Sequence, residues 1–257
     1  MKSFVSPGLE GKVALVTGGA KGIGRAAALL FGEAKAQVAV SDVDVAQGEA
    51  TAAAIRDRGG EAIFLRADVT VEAEVAAMVA ATVAHFGALD CAFNNAGLGG
   101  VHAPFHELAL ADWERILAAD LTSVFLCMKH ELAHMAAVGR GAIVNTASGA
   151  GFVPAPGMPH YTAAKHGVLG LTKLAAKEYA RAGIRVNAIC PGVTDTAMMQ
   201  DFIGGSAELE RMMLDTLPFG RMARAEEVAG AAVWLCSDAA SFVSGDSMLV
   251  DGASVCR

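Results

Sequence analysis

The sequence predicts a doubly wound α/β fold built on a seven-stranded parallel sheet. Three observations predict it. Short β-rich runs alternate with longer Ala-rich stretches of helical period along the whole chain. The cores of these runs, such as Val13-Ala-Leu-Val16 and Ala142-Ile-Val144, lack polar alternation, as strands do when helices cover both faces. Several of the 29 glycines cluster where a strand pattern becomes a helix pattern.

The strands, each bounded by Gly, Asp or Asn, are expected at Val13 to Thr17, Gln37 to Ser41, Glu61 to Arg66, Leu89 to Phe93, Ala142 to Thr146, Arg185 to Cys190 and Ser247 to Val250. The intervening helices are expected over 22–34, 45–58, 71–86, 111–137, 160–181 and 225–237, with a shorter helical insertion over 206–215. No internal repeat, charge block or Ser/Gly/Pro linker divides the chain, so residues 1–257 are expected to form one domain.

Composition excludes several functions. At 54% hydrophobic and 18% charged residues, the chain buries a large interior and cannot stay disordered. No apolar run approaches the ~20 residues of a membrane span. The N-terminal Met1 to Lys12 has no apolar stretch of the secretory kind, which points to a soluble, cytoplasmic protein. A net charge of −7 repels a polyphosphate backbone, so nucleic acid is not an expected partner. Cys91, Cys127, Cys190, Cys236 and Cys256 are scattered, odd in number and without a C-x-x-C pair, and read as buried, reduced thiols.

The chemistry begins at Val13-Ala-Leu-Val-Thr-Gly18-Gly-Ala-Lys21-Gly22-Ile23-Gly24-Arg25, a strand, a glycine-rich turn and a helix start in succession. Without side chains at Gly18, Gly22 and Gly24, the backbone can turn tightly and approach a pyrophosphate, whose charge then sits on free N–H groups of the helix N-terminus. A dinucleotide fits that geometry. Asp42, 18 residues after Gly24, ends the second strand where a carboxylate can accept from adenosine ribose hydroxyls, and its charge repels a 2′-phosphate. That favours NAD over NADP. Lys21 pulls the other way, because a cation there could reach a 2′-phosphate.

Tyr161-Thr-Ala-Ala-Lys165 places a phenol and an ammonium four residues apart on one helix face. A tyrosine hydroxyl ordinarily ionises near pH 10, so acid/base work near neutrality needs a neighbouring cation to favour the phenolate. Ser148, thirteen residues earlier, lies just beyond the strand Ala142 to Thr146, at the carboxyl edge of the sheet where ligands bind in such folds.

Thr17 to Gly24, Asp68-Val69, Asn94-Asn-Ala96-Gly97, Ser148, Tyr161-x-x-x-Lys165 and Pro191-Gly192 followed by Thr196 resemble, in order and spacing, the short-chain dehydrogenase/reductase family. The likeness continues through Glu226 to Ala229, Leu235 to Asp238, Ser244-Gly245 and Asp251-Gly252, so it spans essentially the whole chain. It implies a single-domain Rossmann fold, NAD as cofactor and hydride transfer between a secondary alcohol and its ketone. Tyr161 would be the general acid/base, Lys165 would favour its phenolate and bind the nicotinamide ribose, and Ser148 would hydrogen-bond the substrate oxygen. Asp68 and Val69 would border the adenine, Asn94 to Gly97 would line the cofactor, and Pro191, Gly192, Val193 and Thr196 would hold the carboxamide. The likeness also implies a homotetramer and a lid over the substrate at about 194–216, carrying Met198, Met199, Phe202, Met212, Met213 and Leu214. Plain core packing is the other reading of those residues. No Arg or Lys is clearly placed for a substrate carboxylate or phosphate, so a neutral hydrophobic alcohol or ketone is expected.

One position departs from the family pattern. Members usually carry an Asn in the helix segment that here reads Ala118-Ala-Asp120-Leu, where the amide helps relay protons to the lysine. Asp120 can still accept from water, but its charge favours the neutral phenol and predicts a more alkaline optimum for alcohol oxidation.

His130-Glu-Leu-Ala-His134 matches the zinc-protease pattern H-E-x-x-H, but no third ligand follows at the extended spacing, where Ala137 and Arg140 stand. No metal is expected. His102 and His106 flank Pro104 in an expected loop. An NADPH-dependent ketoreductase, and a nucleotide-binding regulator disabled at Asp120, remain as alternatives.

Overall fold

Every residue of the strand Val13–Thr17 (β1) is buried, which is why its sequence shows no polar alternation. The computed structural model describes residues 8–255; Cys256 and the first seven residues of the N-terminal segment lie outside the described residues. β1 pairs on one side with Gln37–Asp42 (β2) and on the other with Cys91–Asn94 (β4). Glu61–Arg66 (β3) flanks β2, while Gly141–Thr146 (β5), Ile184–Pro191 (β6) and Ser247–Val250 (β9) extend the other side. All seven strands are parallel, in the order β3-β2-β1-β4-β5-β6-β9. The order reverses between β1 and β4, and that reversal opens a crevice beyond the carboxyl ends of the two strands.

Alternate strand residues feed two cores. Ala14, Val16, Val38, Val40, Ala142 and Val144 pack against Gly22–Glu33 (α1), Val45–Arg56 (α2) and Ala225–Cys236 (α9), with Phe31, Ile55 and Leu235 fully buried. Leu15, Ala39 and Ile143 face the other layer, formed by Glu72–Phe86 (α3), Ser123–Val138 (α5) and Pro159–Tyr179 (α6). Each large apolar side chain so buried contributes about 1.5–3 kcal/mol. The period of two that serves both layers is the continuous apolar run seen in the sequence.

Three features differ from expectation. The helix expected over 111–137 is Leu110–Leu117 (α4), a π-helical turn at Ala118–Thr122, and then α5. Neither Gly nor Pro lies between Leu110 and Val138, so the sequence carries no breaker to mark the interruption. The fourth strand starts two residues later than expected and reaches Asn94. Thr194–Asp195 (β7) and Ala223–Arg224 (β8) form a second small parallel sheet, and between them lie Ala197–Ile203 (α7), which was not expected, and Ala207–Thr216 (α8), which was. β1, β3 and β9 fall at the expected bounds, and the other elements shift by one or two residues at their ends.

Candidate active site

The glycine-rich turn is held by close backbone approach. Gly18 has φ +65° and Gly22 φ +53°, conformations that L side chains rarely adopt. A Cβ at Gly18 would lie 2.8 Å from Ala96 Cα, and one at Gly24 would run into the Gly18 carbonyl oxygen. The ends of β1 and β4 are tied together at the same place. Thr17 Oγ1 accepts from the Asn95 and Ala96 N–H groups at 3.0 and 3.2 Å, while Asn95 Nδ2 donates to the Thr17 and Gly18 carbonyls at 3.3 Å each. Lys21 occupies the N-cap position of α1 and makes no side-chain cap, so no side chain covers the first N–H groups of the helix. This uncapped, glycine-rich cradle fits a pyrophosphate.

Asp42 braces the cradle from β2. Its Oδ2 accepts from the Ala20 N–H and its Oδ1 from the Asp44 N–H, both at 3.0 Å. Lys21 Nζ pairs with Asp44 Oδ2 at 2.8 Å. Asp68, beyond β3, accepts from the Thr70 hydroxyl and N–H, which hold its carboxyl below the ordinary range. On the far side of the crevice, Pro191 ends β6, and a Cβ at Gly192 would lie 2.8 Å from Asp251 Cα. Thr196 caps α7 and leans on the turn, its Cγ2 3.2 Å from where a Gly22 Cβ would sit.

Ser148, Tyr161 and Lys165 gather at the carboxyl end of β5. Ser148 caps a 3-10 turn at Gly149–Gly151, its Oγ accepting from the Ala150 N–H at 3.1 Å. Tyr161 and Lys165 share a face of α6, and the Lys165 ammonium stands 5.2 Å from the centroid of the Tyr161 ring. Lys165 Nζ donates to the Thr146 carbonyl at 3.3 Å and lies 3.1 Å from Asp120 Oδ2 in an ion pair whose side chains are 6% and 1% exposed. Burial pushes the ammonium down, but Asp120 and Tyr161 outweigh it and hold the Lys165 proton above its ordinary value. Asp120 Oδ1 accepts from the Leu98 N–H at 2.7 Å, so one carboxylate joins the π-helical turn, the turn after β4 and the lysine.

The comparisons decide the family. The profile described as Enoyl-(Acyl carrier protein) reductase matches residues 18–253. Cis-4-hydroxycyclohexanecarboxylate dehydrogenase of Sinomonas cyclohexanicum is 48% identical over 94% of this chain and 95% of its own. 2,5-dichloro-2,5-cyclohexadiene-1,4-diol dehydrogenase of Sphingobium indicum is 45% identical over 95% and 97%. The crystal structure of levodione reductase superposes with a TM-score of 0.92 at 36% identity, covering 96% of this chain and 98% of that one. The chain belongs to the short-chain dehydrogenase/reductase family. It is therefore an oxidoreductase that takes a nicotinamide cofactor and a small-molecule substrate.

The remaining sequence signals fall elsewhere in the fold. Glu131 of the H-E-x-x-H stretch points into the core, fully buried, where its Oε2 accepts from Asn94 Nδ2 at 2.9 Å. Among the described residues, no three His, Cys, Asp or Glu side chains converge as metal ligands would. Cys91, Cys127, Cys190 and Cys236 are buried free thiols. Over 194–216 only Thr194 and Ile203 are buried: α8 buries no residue, and Met198, Phe202 and Met212 are about half exposed. Met198 instead approaches Gly99 across the crevice. His102 packs on Gly157, and His106 lies in a 3-10 turn at Phe105–Glu107. A cavity of about 550 Å³ lined by Gly32, Ile55, Arg58 and Gly60 opens at the amino edge of the sheet, opposite Tyr161. No helix among the described residues is long and apolar enough to cross a membrane.

Sequence reasoning missed His160. It is fully buried directly before Tyr161, and its Nδ1 accepts from the Tyr161 N–H at 2.8 Å while the ring fills the space beside Gly100. Burial holds its imidazole below the ordinary value, against the opposing pull of Asp112. A histidine among small residues carries no spacing signal. The Thr146 carbonyl and the Leu98 N–H were also missed, because backbone groups leave no mark in a sequence.

Proposed function

We propose that the enzyme is an NAD(H)-dependent alcohol dehydrogenase/ketone reductase, interconverting a hydrophobic secondary alcohol and its ketone. The observation that carries this reading is the Lys165 ammonium fixed beside the Tyr161 ring by Asp120 and Thr146, with Ser148 two residues beyond Thr146 at the carboxyl edge of the sheet. The nicotinamide coenzyme, when bound, supplies the hydride acceptor or donor. Gly18, Lys21, Gly22, Ile23 and Gly24 would hold its pyrophosphate side. Asp42 would take the adenosine ribose, and Asp68 and Val69 the adenine. Ala96 and Gly97, with Pro191, Gly192, Val193 and Thr196, would line the coenzyme, while Asn94, expected to line it, turns its side chain into the core against Glu131 and Asn145 and braces β4.

In oxidation, Ser148 Oγ holds the substrate hydroxyl while Tyr161 Oη takes its proton; in reduction Tyr161 returns it. Lys165 holds its charge beside the Tyr161 ring and would also meet the ribose hydroxyls. Asp120 orients Lys165 and accepts from water on the route to solvent. Both named relatives act, by their names, on hydroxyl groups of six-membered carbocycles. The half-exposed Met198, Phe202 and Met212, with Phe152, offer an apolar and adaptable wall for such a ring. The segment 194–216 serves as the lid of a single domain over 1–257, in a cytoplasmic homotetramer.

Tyr161→Phe tests the mechanism. Turnover of cyclic secondary alcohols, followed by NADH absorbance, falls by about 10²–10⁴ while NAD binding persists. Undiminished turnover refutes the role of Tyr161, and a monomer in sedimentation refutes the assembly.

A further inference from the structure

The glycine-rich turn carries a lysine that is held by the acid capping the next helix, α2. Lys21 extends from the N-cap position of α1, with its side chain 58% exposed, and ends 2.8 Å from Asp44 Oδ2. Asp44 is itself the N-cap of α2: its Oδ1 accepts from the Gln47 N–H at 3.2 Å. One carboxylate thus does two separable things, capping a helix with one oxygen and holding a cation with the other. Asp42 differs, because both its oxygens accept from the backbone that shapes the turn. The charge on Lys21 is reinforced first by Asp44, with Asp42 and, from α7, Asp201 adding to it.

Resting on the NAD reading above, we infer that Asp44 is a specificity-determining residue: it sequesters Lys21, which would otherwise serve as a ligand for the coenzyme 2′-phosphate. An exposed ion pair is individually weak. A 2′-phosphate approaching Lys21, however, has to displace the Asp44 carboxylate and meet the charge of Asp42 as well, and like charges brought together discriminate strongly. A ribose with two free hydroxyls meets no such barrier. Selection therefore works through rejection, and the residue that rejects stands two positions beyond the acid that ends β2.

Asp44→Asn tests this with the fold kept intact, since Asn caps a helix as well as Asp does. Titration calorimetry with NAD⁺ and with NADP⁺ reads binding directly, on the full-length wild type, Asp44→Asn, Lys21→Ala and the double variant; Asp44→Ser, another good cap, repeats the test. The wild type prefers NAD⁺. Asp44→Asn and Asp44→Ser gain NADP⁺ affinity on the order of tenfold, and Lys21→Ala in the Asp44→Asn background takes that gain away. A wild type that prefers NADP⁺ overturns the NAD reading itself. A wild type that prefers NAD⁺, with no gain in the Asp44 variants, overturns only the sequestration. A gain that survives loss of Lys21 also overturns it, because charge removal alone would then explain the change.

Discussion

Asp120 and Lys165 form a buried ion pair, 3.1 Å from Oδ2 to Nζ, directly behind the Tyr161 ring. Family members usually present a neutral amide at this position, so the lysine of this chain works against an added negative charge. Asp120→Asn keeps the shape and the acceptor for the Leu98 N–H but removes that charge. Burial, no longer opposed by Asp120, then lowers the pH at which Lys165 loses its proton, and the alkaline limb of the oxidation pH–rate profile moves down. Coincident profiles would sink the electrostatic account. Asp120→Ala leaves the ammonium buried without its partner and costs about 3–5 kcal/mol of stability in a denaturant titration.

Gly24 is the tightest point of the cradle, where a Cβ would meet the Gly18 carbonyl and lie 2.6 Å from Asn95 Nδ2. Gly24→Ala therefore pushes β1 and β4 apart at their carboxyl ends. Calorimetry is expected to show at least a tenfold loss of coenzyme affinity, about 1.4 kcal/mol, in a protein whose far-ultraviolet circular dichroism is unchanged. Wild-type affinity would show that the turn tolerates the added methyl group.

The parallel sheet was legible because buried strands are apolar on both faces and their neighbours are helical; Leu15 and Val16 serve opposite cores from adjacent positions. The placement of Ser148 just beyond β5, and of Tyr161 and Lys165 on one face near the start of α6, was legible from their spacing to the strand and helix patterns. The π-helical turn around Asp120 was not, since helix-forming residues continue through it. Nor was the partnership of Lys21 and Asp44, which joins residues 23 apart on two different helix starts. In the H-E-x-x-H stretch the helical period turns Glu131 into the core, which the pattern alone does not reveal.

Glu131 faces into the core, and His130 Nε2 lies 3.5 Å from Glu72. Turnover is expected to survive exhaustive chelation followed by gel filtration into metal-free buffer. Loss of activity that added Zn²⁺ restores would show that a metal is needed after all.

Glu131 has another consequence, for stability. Its carboxyl sits under β4 and β5 in a buried polar cluster, where Asn94 Nδ2 also donates to Asn145 Oδ1 and Asn145 Nδ2 donates to Thr172 Oγ1. Burial raises the Glu131 carboxyl to about 7, only partly offset by the Asn94 hydrogen bond. The folded state thus prefers the protonated form more than the unfolded chain does. The contribution is fully present below the unfolded value near 4.5 and is lost progressively as pH rises towards 7. Glu131→Gln imitates the protonated acid at every pH. Measured by urea denaturation, its advantage over the wild type is expected to grow between pH 4.5 and 7 and to level off above that, reaching roughly 3 kcal/mol. A difference that stays flat across this window would mean that the carboxyl is ionised in the folded enzyme, and that Asn94 and its neighbours hold a charge where the geometry provides for a neutral acid.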